Sequence, residues 1–233
     1  MFELQKHAVA ILSSALIVGC SPLFCEAGPW ANPSGAAASF TYSNGQDLNG
    51  LFGNSVVSGD TLFFPDFHPA ASAADGAEAH QFDIVSFDLV PNPGLSFLFV
   101  RIPAGGDFAV TGPPSENLVS TDINTGISLW ENGGLGRAFG SVMLTSPSFP
   151  QSTGNGVWTG LSGLDLGFTE PPLHSHLRFQ FAAGVLAISG PSGTAEIDMG
   201  LFDGLTFHFV PEPTSMSALL AGAAVLVLRR NHR

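Results

Sequence analysis

The chain has 233 residues and a formal net charge of −12, from 19 acidic and seven basic (Lys or Arg) side chains. Residues 28–211 alone contain 16 of the acidic side chains and three of the basic ones, which gives this part a net charge of −13. Such a surface repels nucleic acid, so we expect no nucleic-acid partner, and the length suits one domain with its own core.

The first 27 residues have the composition of an export signal. Lys6 and His7 form a weakly cationic start, and residues 8–19 carry no charge and are mostly apolar. A signal peptide spanning residues 1–27 would contain both cysteines and the only lysine. The exported domain would then form without a disulfide, although its compartment would permit one.

Two processing routes fit this segment. Cys25-Glu26-Ala27 places small residues at the −3 and −1 positions of a cleavage site before Gly28. Alternatively, Ile17-Val18-Gly19-Cys20 is similar to a lipobox, which would attach a lipid to Cys20. We favour cleavage after Ala27, because the C-terminal end of the chain already supplies an anchor.

Residues 28–209 predict an all-β domain, specifically an antiparallel β-sandwich of jelly-roll type. Apolar runs of strand length are separated by Gly, Pro, Asn and Ser, and no helical period of useful length occurs between them. We predict strands at residues 37–42, 60–64, 81–90, 95–102, 107–111, 126–130, 137–145, 156–161, 176–189, 194–199 and 205–210.

Three stretches are expected to interrupt these strands. Ser43-Asn44-Gly45 predicts a turn after the first strand, and Pro103 predicts the end of the strand at 95–102. The Ala-rich residues 70–79 predict a mobile loop, since Ala, Asp and Gly are poor strand formers.

The alternation of apolar residues predicts which side chains are buried. Leu205, Phe207 and Phe209 should share the core-facing side of their strand. In the strand at 95–102, we expect Phe97 and Phe99 to share one face. Because this strand is apolar on both faces, it should lie centrally in its sheet.

We predict that the domain is not an enzyme and has no resident cofactor or metal. It lacks Cys and Lys, and of its histidines only His174 and His176 share a strand face, a spacing that serves zinc when a third ligand is present. Glu196 and Asp198 also share a face, which favours solvation over acid–base catalysis. A calcium site built from sequence-distant carboxylates would leave no motif.

Exposed aromatics offer an alternative role as a carbohydrate-binding module. Trp130 and Trp158 follow or precede Gly-rich turns and are the residues that we predict as carbohydrate contacts, with Trp30 and Tyr42 as lesser candidates. The competing interpretation is that each Trp covers an edge of the core.

The last segment, residues 210–233, has a distinct order of parts. Val210-Pro211-Glu212-Pro213 is followed by an uncharged run at residues 215–228 and by a basic end whose arginines are Arg229, Arg230 and Arg233. We predict a hydrophobic anchor helix whose basic end stays in the cytoplasm. Fourteen residues give about 21 Å of helix, short of a bilayer core of roughly 30 Å, so an interfacial or buried helix is the alternative.

This order of parts resembles the PEP-CTERM sorting signal of exported bacterial proteins. The resemblance covers about a tenth of the chain. It implies a membrane-associated sorting enzyme of the exosortase type as a partner, transient anchoring in the inner membrane, and a role in the cell envelope or extracellular matrix alongside exopolysaccharide. The short hydrophobic run departs from the family pattern. The function that we expect is therefore that of an exported, non-enzymatic envelope or matrix protein.

Overall fold

A computed structural model describes residues 30, 32–131, 134–142, 144–165 and 176–212. These residues form fifteen β-strands and no helix. In chain order the strands are β1 Gly35–Ala36, β2 Phe40–Asp47, β3 Val56–Ser58, β4 Thr61–Phe63, β5 Ala70–Ala74, β6 Glu78–Pro91, β7 Leu95–Thr111, β8 Leu118–Glu131, β9 Gly134–Val142, β10 Leu144–Ser146, β11 Gly154–Asp165, β12 Leu177–Ile188, β13 Thr194–Asp198, β14 Gly200–Leu201 and β15 Leu205–Pro211.

The strands form two antiparallel sheets. Sheet A has six strands in the order β1-β2-β6-β12-β8-β9. Sheet B has nine strands, with β10-β11-β7-β15-β4-β3 as its main order, β13 and β14 paired to β7, and β5 paired to β13. The predicted all-β class with antiparallel pairing is confirmed, and β7 occupies the central position that its two apolar faces predict.

Phenylalanine side chains fill the space between the two sheets. Phe207 of β15 lies 5.2 Å, between ring centroids, from Phe179 of β12, 5.1 Å from Phe40 of β2 and 6.0 Å from Phe87 of β6. Contacts between rings from both sheets give a sandwich-like arrangement with one continuous core. Leu205 and Phe207 are buried as predicted, and Phe209 packs against the same core.

The predicted break at Pro103 is wrong, because β7 continues through it to Thr111. Pro103 lies opposite Leu161 of β11. On the other side of β7, the ladder with β15 begins at Arg101 and the short pairing with β14 begins at Ala104, so the neighbouring ladder is interrupted at Pro103. A proline without an N–H is tolerated at such a gap.

The predicted face of Phe99 is also wrong. The register between β15 and β7 shifts between His208 and Phe209, so that His208 pairs with Phe99 while Phe209 pairs with Phe97. The extra residue of this bulge reverses which side chains point inward. Phe97 is therefore buried together with Val100, and the Phe99 ring stacks on His208 at 4.0 Å instead.

Residues 70–79, predicted as a mobile loop, instead contain β5 and the start of β6. Ala71 and Ala73 are buried and alternate with exposed neighbours, and β5 pairs along its whole length with β13. Asp75 and Gly76, both with positive φ, turn the chain into β6. Tertiary pairing thus overrides the low strand propensity of alanine.

The turn predicted at Ser43-Asn44-Gly45 is a β-bulge within β2. The register with β6 shifts between Ser43 and Gln46, and Asn44 has φ 54°. A Cβ atom at Gly45 would lie 2.0 Å from the Trp30 ring. Only glycine lets Trp30 reach its buried position beneath the bulge.

The predicted signal peptide and C-terminal anchor helix lie outside the described residues. Within the described ranges, no helix has the length and apolar character needed to cross a bilayer.

We expect Phe207→Ala to lower the free energy of unfolding by about 3–5 kcal/mol, because it removes a fully buried ring and leaves a cavity between the sheets. The matched control is Phe202→Ala, the same substitution at a side chain that is 56% exposed, where we expect a loss below about 1 kcal/mol. Urea denaturation followed by circular dichroism measures both. Equal losses in the two variants would contradict this account of the core.

Candidate functional sites

The first two residues of the predicted sorting motif belong to the last strand. Val210 pairs with Ser96 and Pro211 with Leu95, and the Glu212 N–H donates to the Gly94 carbonyl at 2.9 Å. The predicted domain boundary after residue 209 thus falls inside β15. A proline ends this strand comfortably because β4 pairs only with its first two residues. Pro213, Arg229, Arg230 and Arg233 lie outside the described residues.

Trp158, one of the two predicted carbohydrate contacts, lies inside the sandwich. Its side chain has an exposed fraction of 0%, and its indole N–H donates to the Asp198 carbonyl at 3.0 Å. The Phe149 ring meets it edge-on at 5.5 Å. A sugar ring therefore cannot stack on Trp158 in this structure, and the prediction of a carbohydrate contact there is corrected to a core position.

The other aromatic candidates lie in different parts of the fold. Trp130 lies in β8 opposite Leu135 of β9. Trp30 and Tyr42 are both buried and stack on one another at 5.6 Å between ring centroids. The structure does not bring Trp158 and the Trp30–Tyr42 pair to an exposed face.

Phe202 is an aromatic residue that the sequence analysis missed. Its side chain is 56% exposed, and it is the one aromatic in the exposed class among the side chains whose burial the structure describes. It stands in Gly200-Leu201-Phe202-Asp203-Gly204, directly after β14. An aromatic in a turn between two glycines, next to an acid, is the sequence feature that could have indicated it.

A polar cluster lies on the outer face of sheet A around Asp88. Its carboxylate accepts from Asn44 Nδ2 at 2.6 Å and from Arg178 Nη1 at 3.0 Å, and His176 Nε2 lies at 3.3 Å. Arg178 also donates to Ser86 Oγ at 2.9 Å. Burial of Asp88 acts to raise its pKa, but the hydrogen bonds from Asn44 and Arg178 and the nearby positive charges outweigh it, so the pKa is lowered.

Four residues of this cluster come from three neighbouring strands, and His176 immediately precedes β12. Asn44 stands in the bulge of β2, Ser86 and Asp88 in β6, and Arg178 in β12. The arrangement ties the bulge to the two central strands of sheet A through a charge-assisted network. His174, the other half of the predicted histidine pair, lies outside the described residues.

Two buried carboxyl groups hold the segment that follows β2. Asp83 accepts the backbone N–H groups of Asn49 and Leu51, both at 2.7 Å. Asp47 accepts those of Gly50 and Phe52, both at 3.1 Å. This anchoring places the Phe52 ring in the core.

Asp47 and Asp83 also interact with one another. The pKa of Asp47 is raised from 3.8 to about 7, first by burial and then by a side-chain hydrogen bond with Asp83 and repulsion by the charge of Asp83. The hydrogen bonds from the backbone N–H groups of Gly50 and Gly53 act in the opposite direction. Two close carboxyl groups in a low dielectric share one proton more readily than they carry two charges. Asp47 and Asp83 together fix residues 48–53 through their hydrogen bonds to the backbone.

Among the described residues, no group of three or more His, Cys, Asp or Glu side chains is arranged to hold a metal ion. Glu196 and Asp198 are both exposed on β13, as expected for solvated residues.

Comparisons with known protein families and with curated proteins give no match for this chain.

We expect Asp47→Asn to flatten the dependence of stability on pH. The pKa of Asp47 is raised in the folded state, so its favourable contribution is complete below about pH 4 and is lost as the pH rises towards 7. The asparagine amide can donate to Asp83 at every pH, so the variant should gain on the order of 2 kcal/mol relative to the wild type between pH 4.5 and 8.

The measurement is urea denaturation across this pH range, with Asp203→Asn, an exposed acid, as the control. The slope with pH is the quantity compared, because the substitution also removes one acceptor oxygen at every pH. A variant whose stability follows the same pH slope as the wild type would contradict the shared-proton arrangement.

Proposed function

We propose that this is an exported, non-enzymatic envelope or extracellular-matrix protein, sorted through residues 210–233 by an exosortase-type enzyme and anchored transiently in the inner membrane. The observation that carries the proposal is the position of the motif. Pro211 is the last residue of β15, its side chain is exposed, and the Glu212 N–H donates to the carbonyl of Gly94 in the turn that precedes β7. A sorting enzyme would meet the motif at the end of the folded domain.

The packing of β15 supports a domain that is complete before the tail. Its inward side chains Leu205 and Phe207 are buried, and Phe209 stacks on Phe40 at 5.5 Å between ring centroids. The core formed by the described residues therefore closes within β15. Cleavage after the motif would leave these contacts in place.

In the native host, we expect the combined change of Arg229, Arg230 and Arg233 to Glu to mislocalise the protein, because cations beside a hydrophobic segment set its orientation. Fractionation and the size of the processed product are the measurements. The control is Arg101→Glu, a charge reversal at an exposed position in β7. Unchanged surface display and processing of the triple variant would overturn the sorting proposal.

We further propose that the domain acts without catalysis. The polar clusters of the described residues engage their groups internally: Asp88 is held by Asn44 and Arg178, and Asp47 and Asp83 hold backbone N–H groups. A general acid, general base or nucleophile needs a group directed at a substrate. These contacts favour a structural role for both clusters.

We accordingly expect no turnover when the purified protein is incubated with polysaccharides, esters and peptides. The variants His176→Ala and Glu196→Ala identify the source of any activity that is observed. Turnover that either substitution abolishes would refute the non-enzymatic proposal.

We also propose that the strands are connected as in a jelly roll and that the protein associates with exopolysaccharide. Both proposals come from the sequence. The alternative function is that of a carbohydrate-binding module. Because Trp158 is buried, this function requires another aromatic side chain, one that is exposed, to contact the sugar.

A further inference from the structure

The outer face of sheet B carries an aromatic ring held against the backbone. The Phe202 ring lies over Gly105 of β7, where a Cβ atom would be only 2.4 Å from Phe202 Cε2. The Phe202 N–H donates to the Pro103 carbonyl at 3.3 Å, which ties the turn to the same strand. Glycine at position 105 therefore allows an exposed ring to be fixed on the sheet surface.

Small residues surround this ring along one row of the sheet. Gly105 is directly opposite Gly200 of β14 and Thr159 of β11, and Thr159 is directly opposite Ser146 of β10. Directly opposed residues of antiparallel strands project to the same face, and the strands are about 4.8 Å apart. Beyond the ring, this row continues with the hydroxyl side chains of Thr159 and Ser146, whereas on the other side the His68 ring lies next to Gly200, 3.4 Å from where a Cβ atom would be.

The adjacent positions supply hydrogen-bond acceptors and apolar contacts. Asp107 is exposed and projects to the same face as Gly105, two residues before it in β7, and its N–H donates to Asp198 Oδ1 at 2.7 Å. Asp198 Oδ1 itself lies on the side of β7 to which a Cβ atom at Gly106 would point, opposite to the Phe202 ring. The Asp198 carbonyl is in turn held by the Trp158 indole. On β11, Val157 and Leu161 are 69% and 52% exposed on either side of Thr159.

We infer that this face is a binding site for a neutral polysaccharide, with a sugar ring stacked on Phe202. The face of an aromatic ring carries partial negative charge and attracts the C–H face of a hexose, which is apolar and slightly positive. The carboxylate of Asp107 and the hydroxyl of Thr159 can accept hydrogen bonds from sugar hydroxyls.

The charge of the face selects among polymers. Asp107 would repel a uronate or sulfate group, and residues 28–211 as a whole are strongly acidic. A second copy of the chain is a weaker occupant, since a two-fold contact through this face would bring the Asp107 carboxylates of both copies close together. A neutral chain meets the ring and the acceptors without that repulsion.

The test is affinity electrophoresis of the full chain, purified in a mild detergent, through gels containing hydroxyethylcellulose, glucomannan, laminarin, dextran or polygalacturonate. We expect at least one neutral polysaccharide to retard the wild type. Phe202→Ala should weaken that binding roughly tenfold or more, as for loss of a central aromatic contact, whereas Phe202→Trp should retain it. Val56→Ala, at a 54% exposed position on β3, is the control and should bind as the wild type.

Circular dichroism of each variant establishes that the fold is retained, and this inference is independent of how the chain is sorted. Three results would overturn it: no retardation of the wild type by any neutral polymer, unchanged binding by Phe202→Ala, or strongest binding to polygalacturonate. A change from dimer to monomer in Phe202→Ala, measured by ultracentrifugation without any glycan binding, would assign the face to a second copy instead.

Discussion

The contact between two phenylalanine-lined sheets is the interaction on which the rest of the structure depends. Phe207 touches rings from both sheets and is fully buried, and removing such a side chain from water contributes roughly 2–3 kcal/mol. Residues 28–211 contain no cysteine, so no disulfide supplements this burial. The order of the strands, the bulges and the turns all serve to keep these rings facing one another.

A core packed with phenylalanine side chains leaves little room for polar groups, and the carboxyl groups that are buried in it have specific hydrogen-bond partners. Asp47 and Asp83 lie within the fold because backbone N–H groups of the following segment satisfy their oxygens. This arrangement places Phe52 against Phe67 at 4.2 Å between ring centroids. Asp88 has the same type of role on the outer face, where Arg178 compensates its charge. The acidic groups with close partners thus support the sandwich.

The sandwich also separates the two surfaces to which we assign proposed functions. The predicted sorting motif begins at the end of β15, whereas Phe202 and the acceptors proposed beside it lie on the outer face of the same sheet, next to β7 and β11. Because outward side chains of a sheet do not contribute to the core, residues on this face are free to vary in chemistry. An anchored protein could therefore present the Phe202 face outward without any cost to its packing.

The sequence by itself determined the class of the fold, because strand-length apolar runs with two-residue alternation can bury one face only as a sheet. It also indicated that Leu205 and Phe207 face the core. Register and pairing were decided by tertiary structure: a one-residue bulge reversed Phe99, and pairing with β13 made a strand of Ala70–Ala74.

The candidate sites show the same division. Local sequence marks Trp158 and Phe202 as aromatics near glycines, but it does not say which is covered. Trp158 is buried because β11 turns it inward against Phe149, and Phe202 is exposed because Gly105 lets its ring lie on the outer surface. Whether a side chain is exposed depends on which other residues pack against it, and the residues that pack against Trp158 and Phe202 include ones distant from them in sequence. The tertiary structure alone decided it.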